Sequence, residues 1–186
     1  AEDPATWCPL GDYYAENEIV IIPQMPFLAL LLSYLIGAIP FAYLAVRLAK
    51  GEDLRKIGSG NVGATNAARA LGSRAAGLAI FALDVGKGFL PVWLGMKGIA
   101  PALPGWTAQN SAIAHGAAAF CGHCWPVYLG FRGGKGVATG FGVMLALVPA
   151  EALLALATWG LFAFLFRYVS LASIAAACSL PLWLFL

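Results

Sequence analysis

Residues 25–49 read MPFLALLLSYLIGAIPFAYLAVRLA, with Arg47 the only charge, close to the end. A helix of this length rises 1.5 Å per residue and outruns a hydrocarbon core of ~30 Å. Pro40 is placed to kink it. Further apolar stretches follow at 71–96, 106–129, 137–166 and 169–186. The thirty residues 137–166 carry only Glu151, and Pro149 precedes it. A helix rarely runs through such a proline at depth, so this stretch predicts a hairpin of two helices. The expected fold is all-α: a polytopic transmembrane helix bundle of six spans.

Composition points the same way. Of 186 residues, 61% are hydrophobic and 11% charged, and the mean hydropathy is +0.80. A soluble domain would carry about 25% charged residues. One membrane domain, residues 25–186, uses all the apolar chain and leaves no material for a soluble second domain.

Charge is unevenly placed. Residues 1–24 hold Glu2, Asp3, Asp12, Glu16 and Glu18 and no Lys or Arg. This segment lacks the basic region and cleavage site of a signal peptide. It reads either as a disordered extracytoplasmic tail or as a non-native leader ahead of Met25. With the N-terminus outside, loops 50–70, 130–136 and 167–168 face the cytoplasm. Those loops and their flanks hold Arg47, Lys50, Arg55, Lys56, Arg69, Arg74, Arg132, Lys135 and Arg167, against Lys97 alone outside. The positive-inside rule asks for this distribution, and it requires the 137–166 hairpin.

Three polar, glycine-rich clusters interrupt the apolar chain. The first is Gly58-Ser59-Gly60-Asn61-Val62-Gly63-Ala64-Thr65-Asn66-Ala67-Ala68-Arg69. The second is Asp84-Val85-Gly86-Lys87-Gly88-Phe89-Leu90-Pro91. The third runs from His123-Cys124-Trp125-Pro126 to Phe131-Arg132-Gly133-Gly134-Lys135-Gly136-Val137-Ala138-Thr139. Glycine lets backbone N–H groups approach a ligand, and Lys and Arg add positive charge. Together they specify an anion site at the rim of the bundle.

Each cluster also has a plainer reading. Gly58-x-Gly60-x-x-Gly63 matches a dinucleotide fingerprint in letters, but no strand precedes it. Arg69 could serve only as a topology charge, although Arg grips phosphate with two parallel hydrogen bonds. Asp84 and Lys87, three apart, share a helix face, either as a structural ion pair or as functional groups. Gly133-Gly134-Lys135-Gly136 is not a Walker motif, yet a topology charge does not explain its glycines. Cys121-Gly122-His123-Cys124 has redox spelling without the fold that activates it, and no zinc spacing. His115 reads as a hydrogen-bonded residue inside the bundle.

In this order the clusters resemble the bacterial glycerol-3-phosphate acyltransferases that use acyl phosphate. That family's pattern is G-S-G-N-x-G-A-T-N-x-x-R, then D-x-x-K-G-x-x-P, then G-H-x-x-P-x-x-x-x-F-x-G-G-K-G-V-A-T, and the chain matches it throughout. The resemblance implies an inner-membrane enzyme of about seven spans, its motifs on the cytoplasmic side. It would move a fatty acyl group from acyl phosphate to the 1-hydroxyl of glycerol 3-phosphate, the first acylation of phospholipid synthesis. It implies that Ser59, Arg69 and Lys135 hold the glycerol phosphate. Asn61, Asn66, Lys87, His123, Gly133, Gly134 and Gly136 would line the rest of the site, with His123, Lys135 and Arg69 closest to the chemistry. No metal or organic cofactor is implied. The partners are glycerol 3-phosphate, acyl phosphate and membrane lipid, with no nucleic acid and no obligate protein partner. The family runs on beyond the position of Leu186, so the chain is expected to be C-terminally truncated. The competing reading is a transporter or flippase for a phosphorylated metabolite, which would show internal repeats; none is visible.

Overall fold

The computed structural model describes residues 25–185; the expected tail at 1–24 lies outside the described residues. Eight helices are present there: α1 (Pro26–Ala38), α2 (Phe41–Lys50), α3 (Ala64–Leu71), α4 (Arg74–Met96), α5 (Ala108–Cys124), α6 (Val137–Leu147), α7 (Pro149–Phe166) and α8 (Val169–Phe185). Short 3-10 turns stand at Leu54–Lys56 and Val127–Leu129.

The first apolar run is two helices. Pro40 has no N–H to donate, and the chain bends by 42° between α1 and α2. α4 and α7 are each long and apolar enough to cross a membrane, and the bent α1–α2 pair makes a third such unit. Thr107 caps α5 by accepting from the Asn110 N–H at 3.1 Å, and the helix stops before Pro126. α5 is therefore shorter than the 106–129 run. The 137–166 run breaks at Val148, directly before Pro149.

α3 lies within the segment read as a polar loop. Its sequence, ATNAARAL, is rich in Ala, the best helix former. Asn66 and Ala67 face inward, and Gly72 ends the helix in the left-handed region at φ 65°.

Helix directions follow from which residues meet. Ser33 Oγ lies 2.9 Å from His115 Nδ1, Gly37 abuts Ala119, and Gly122 abuts the Tyr34 carbonyl. α1 and α5 therefore run parallel. Gly95 meets Ala112, while Asp84 and Lys87 lie at the level of His123, so α4 is antiparallel to α5. Gly88 meets Thr139 and Val92 packs with Val143, so α6 runs parallel to α4. Small residues let these backbones approach closely, as is usual between helices in lipid. Loops 51–63 and 125–136 consequently gather at one end of the bundle, and loop 97–107 lies at the other. α7 and α8 pack on each other, and α7 touches the body through α6. Trp159 Nε1 donates to Ser173 Oγ at 3.2 Å between them.

Candidate functional site

At the gathered end the three clusters meet. A narrow chamber is lined by Ala38, Pro40, Phe41, Val62, Asp84, Lys87, His123, Pro126 and Gly133. Its open volume is about 10 Å³, room for about one water.

The floor is a buried polar cluster supplied by α4, α5 and α6. Lys87 Nζ is 2.7 Å from Asp84 Oδ1, and both side chains are nearly inaccessible. Lys87 also donates to the Ile39 carbonyl at 2.8 Å and stands over the Phe41 ring at 5.5 Å. Ile39 is at the α1–α2 break, so the ammonium satisfies a carbonyl of the interrupted helix. His123 Nδ1 lies 3.1 Å from Thr139 Oγ1 and 3.8 Å from Asp84 Oδ1. Its Nε2 faces Gly134, where a Cβ would collide with the ring and with the Val62 carbonyl. Only glycine lets the third cluster's loop close over the histidine.

The loops above are held by their own backbones. Asn66 is buried. Its Nδ2 donates to the carbonyls of Ile57 at 2.9 Å and Asn61 at 3.1 Å, and its Oδ1 accepts from the Ser59 N–H at 3.2 Å. Its amide thus organises the first loop. Gly133 N–H donates to the Cys124 carbonyl and Gly134 N–H to the His123 carbonyl, each at 3.1 Å. These amides tie the loop to the end of α5. Ser59, Arg69 and Lys135 are exposed around the chamber's end of the bundle, and Asn61 is half-buried.

Two helices start from these loops without a side-chain cap: α3 after Gly63 and α6 after Gly136. α4 and α5, by contrast, are capped by Ser73 and Thr107. The opening N–H groups of an α-helix have no intrahelical partner, and an uncapped start attracts anions. Lys135 immediately precedes Gly136, which holds φ 76°.

The comparisons with known proteins bear on this arrangement. A family model described as glycerol-3-phosphate acyltransferase matches residues 27–186. The chain belongs to that family. A glycerol-3-phosphate acyltransferase of Jannaschia sp. (strain CCS1) is 47% identical over 155 residues, covering 83% of this chain and 72% of the relative. One of Aquifex aeolicus (strain VF5) is 46% identical over 154 residues, covering 82% and 76%. Crystal structures of PlsY (YgiH), an integral membrane glycerol 3-phosphate acyltransferase, are similar. The glycerol 3-phosphate form superposes with TM-score 0.76 at 42% identity, over 86% of this chain and 76% of that one. The lysophosphatidic acid form gives 0.71 at 41%. This acyltransferase is thus an all-α, membrane-integral, polytopic helix bundle, as expected.

Sequence reasoning placed Lys87 and His123 among the candidate residues and quoted Thr139 as the last residue of the third cluster, but gave it no role; in the structure it holds the imidazole. Asp84 was read as a partner for Lys87; that it also faces His123 needed the α4–α5 crossing.

Proposed function

We propose that the chain transfers a fatty acyl group from acyl phosphate to the 1-hydroxyl of sn-glycerol 3-phosphate, the first acylation of phospholipid synthesis. The products are 1-acylglycerol 3-phosphate and inorganic phosphate. It works as a multi-pass protein of the bacterial inner membrane. The observation that carries the site assignment is the convergence of the three clusters at one end of the bundle, beside two uncapped helix starts. The reaction brings together two phosphate groups, and the loops leading into α3 and α6 are the places built to receive them.

Ser59, Arg69 and Lys135 hold the glycerol phosphate. Asn61, Asn66, Lys87, His123 and the glycines of 133–136 line or support the remainder. The acceptor oxygen attacks the acyl carbon, the carbon–oxygen bond to phosphate breaks, and the electron pair leaves with the phosphate. Acyl phosphate is already activated, so no covalent enzyme intermediate is needed. The work of the site is alignment and neutralisation of charge on the departing phosphate. A phosphate oxygen of the donor takes the hydroxyl proton. His123 is the protein alternative, since Thr139 occupies Nδ1 and leaves Nε2 towards the loop.

The cluster end faces the cytoplasm, the N-terminus lies outside, and the chain crosses six times. The parallel and antiparallel pairings of α1, α4, α5 and α6 support this, as does the basic excess at the cluster end. Phosphate release from purified protein in lipid nanodiscs tests the activity. One phosphate should appear per 1-acylglycerol 3-phosphate, only with both substrates present. Release that does not depend on glycerol 3-phosphate would contradict the reading.

A further inference from the structure

Beside the narrow chamber lies an open cleft of about 470 Å³ lined by Asp53, Arg55, Lys56, Gly60, Arg132 and Gly133. Gly133 borders both spaces. Three cations and one carboxylate face it, but they do not all count equally.

Asp53 and Arg55 neutralise each other. Arg55 Nη2 donates to Asp53 Oδ2 at 2.7 Å and Nε to Oδ1 at 3.0 Å. The same guanidinium stands over the Tyr43 ring at 5.4 Å and reaches the Leu129 carbonyl at 3.4 Å. The hydrogen bonds from the Arg55 side chain hold the Asp53 carboxyl down to about 2. Above pH 4 it stays ionised and paired to Arg55.

Lys56 and Arg132 remain. Both are exposed, and among the described residues neither side chain makes a hydrogen bond or ion pair. The charge of Lys56 does act on Asp53 without pairing to it. Their combined charge matches a phosphate monoester dianion. The backbone offers no cradle here: Gly60 N–H is bonded to the Ile57 carbonyl at 3.0 Å, and Gly133 N–H to Cys124. An anion would be held only by two mobile side chains in water. Such a site attracts and releases quickly, raising the local concentration of anion without trapping it.

We propose that this cleft is a docking site for the phosphate of the soluble acceptor, glycerol 3-phosphate, from which it passes to the chamber next door. The assignment of the acceptor rests on the acyltransferase reading; the anion site itself does not. The same chemistry would suit the phosphate of an anionic lipid headgroup, so the test separates the two sources.

The test uses the full chain in nanodiscs of zwitterionic lipid, with and without phosphatidylglycerol. Turnover and equilibrium binding of radiolabelled glycerol 3-phosphate are measured on the same preparations across a salt series. In zwitterionic lipid, Lys56→Ala with Arg132→Ala should raise KM for glycerol 3-phosphate roughly 5–20-fold. It should leave kcat within about twofold and flatten the salt dependence of KM. Lys56→Arg with Arg132→Lys, which keeps the charge, should restore KM, showing that charge rather than folding is read. Lys50→Ala, a basic residue outside the cleft, should match wild type. An unchanged KM and salt slope in the double alanine variant would overturn the proposal. So would an effect confined to phosphatidylglycerol discs, which would give the cleft to lipid headgroups. If wild type binds glycerol 3-phosphate in a Lys56- and Arg132-dependent way but transfers no acyl group, the acyltransferase reading falls and the anion site stands.

Discussion

The body formed by α1–α6 and the hairpin formed by α7 and α8 are built differently. The body buries Asp84, Lys87, His115 and His123, and its helices touch at glycines and alanines. The hairpin buries only Ala152, Ala155 and Ala172, and presents Phe164, Leu165, Ile174 and Leu182 outward. Ionisable groups inside a membrane protein are costly, and they persist where partners and a task are supplied. The hairpin helices carry one Asp, Glu, Lys or Arg, Glu151 in the first turn of α7, and bury none, and a lipid-facing surface asks nothing more of them. On the site assignment proposed above, function concentrates where close backbone approach and buried charge coincide.

That contrast breaks first at the loop charges. Lys135→Ala should abolish or nearly abolish acyl transfer, and Lys135→Arg should restore little, because a planar fork does not replace a compact ammonium. Arg69→Lys loses two-point recognition. A fall of at least ~10–100-fold in kcat/KM is expected for each, measured by phosphate release from folded protein.

Next comes the buried pair. Asp84→Ala strands the Lys87 ammonium away from water and should cost about 3–5 kcal/mol of stability, read as earlier thermal unfolding in detergent. Lys87→Met with Asp84→Leu should recover much of this, since a matched apolar pair leaves no buried charge unpaired. A smaller loss is expected at Gly88, where an added Cβ overlaps the Thr139 carbonyl. Gly88→Ala must push α4 from α6, at ~1–3 kcal/mol by the same unfolding assay.

The smallest effects should lie at the thiols and in the hairpin. Cys121 and Cys124 are free, and replacing both with Ala should leave turnover within about twofold. Phe164 is 81% exposed, and Phe164→Ala should leave turnover within about twofold too. A large loss from Phe164→Ala would mean that the hairpin shares in the site and would erase the contrast.

Much of this difference is legible in the sequence, and the rest is not for definite reasons. Apolar runs locate the helices, and Pro40 and Pro149 mark two of the breaks. α3 escapes because an alanine-rich octet inside a polar loop has neither the length nor the stripe that identifies a span. The clusters announce an anion site by residue type, and the family resemblance supplied the roles. What no local pattern gives is convergence. Lys87 reaches the Ile39 carbonyl only because α1 breaks beside α4. Asn66 organises its loop only because the chain folds back over twelve residues from Leu54.

The central claim is that the substrate phosphate sits at the loop leading into α6, above a buried charge cluster that is nearly closed to solvent. Amine-directed labelling of the native protein in nanodiscs, read lysine by lysine by mass spectrometry, tests it most directly. Glycerol 3-phosphate should protect Lys135 and leave Lys50 reacting as before, while Lys87 stays unlabelled with or without the ligand. Equal labelling of Lys135 in the presence and absence of saturating glycerol 3-phosphate would contradict the account.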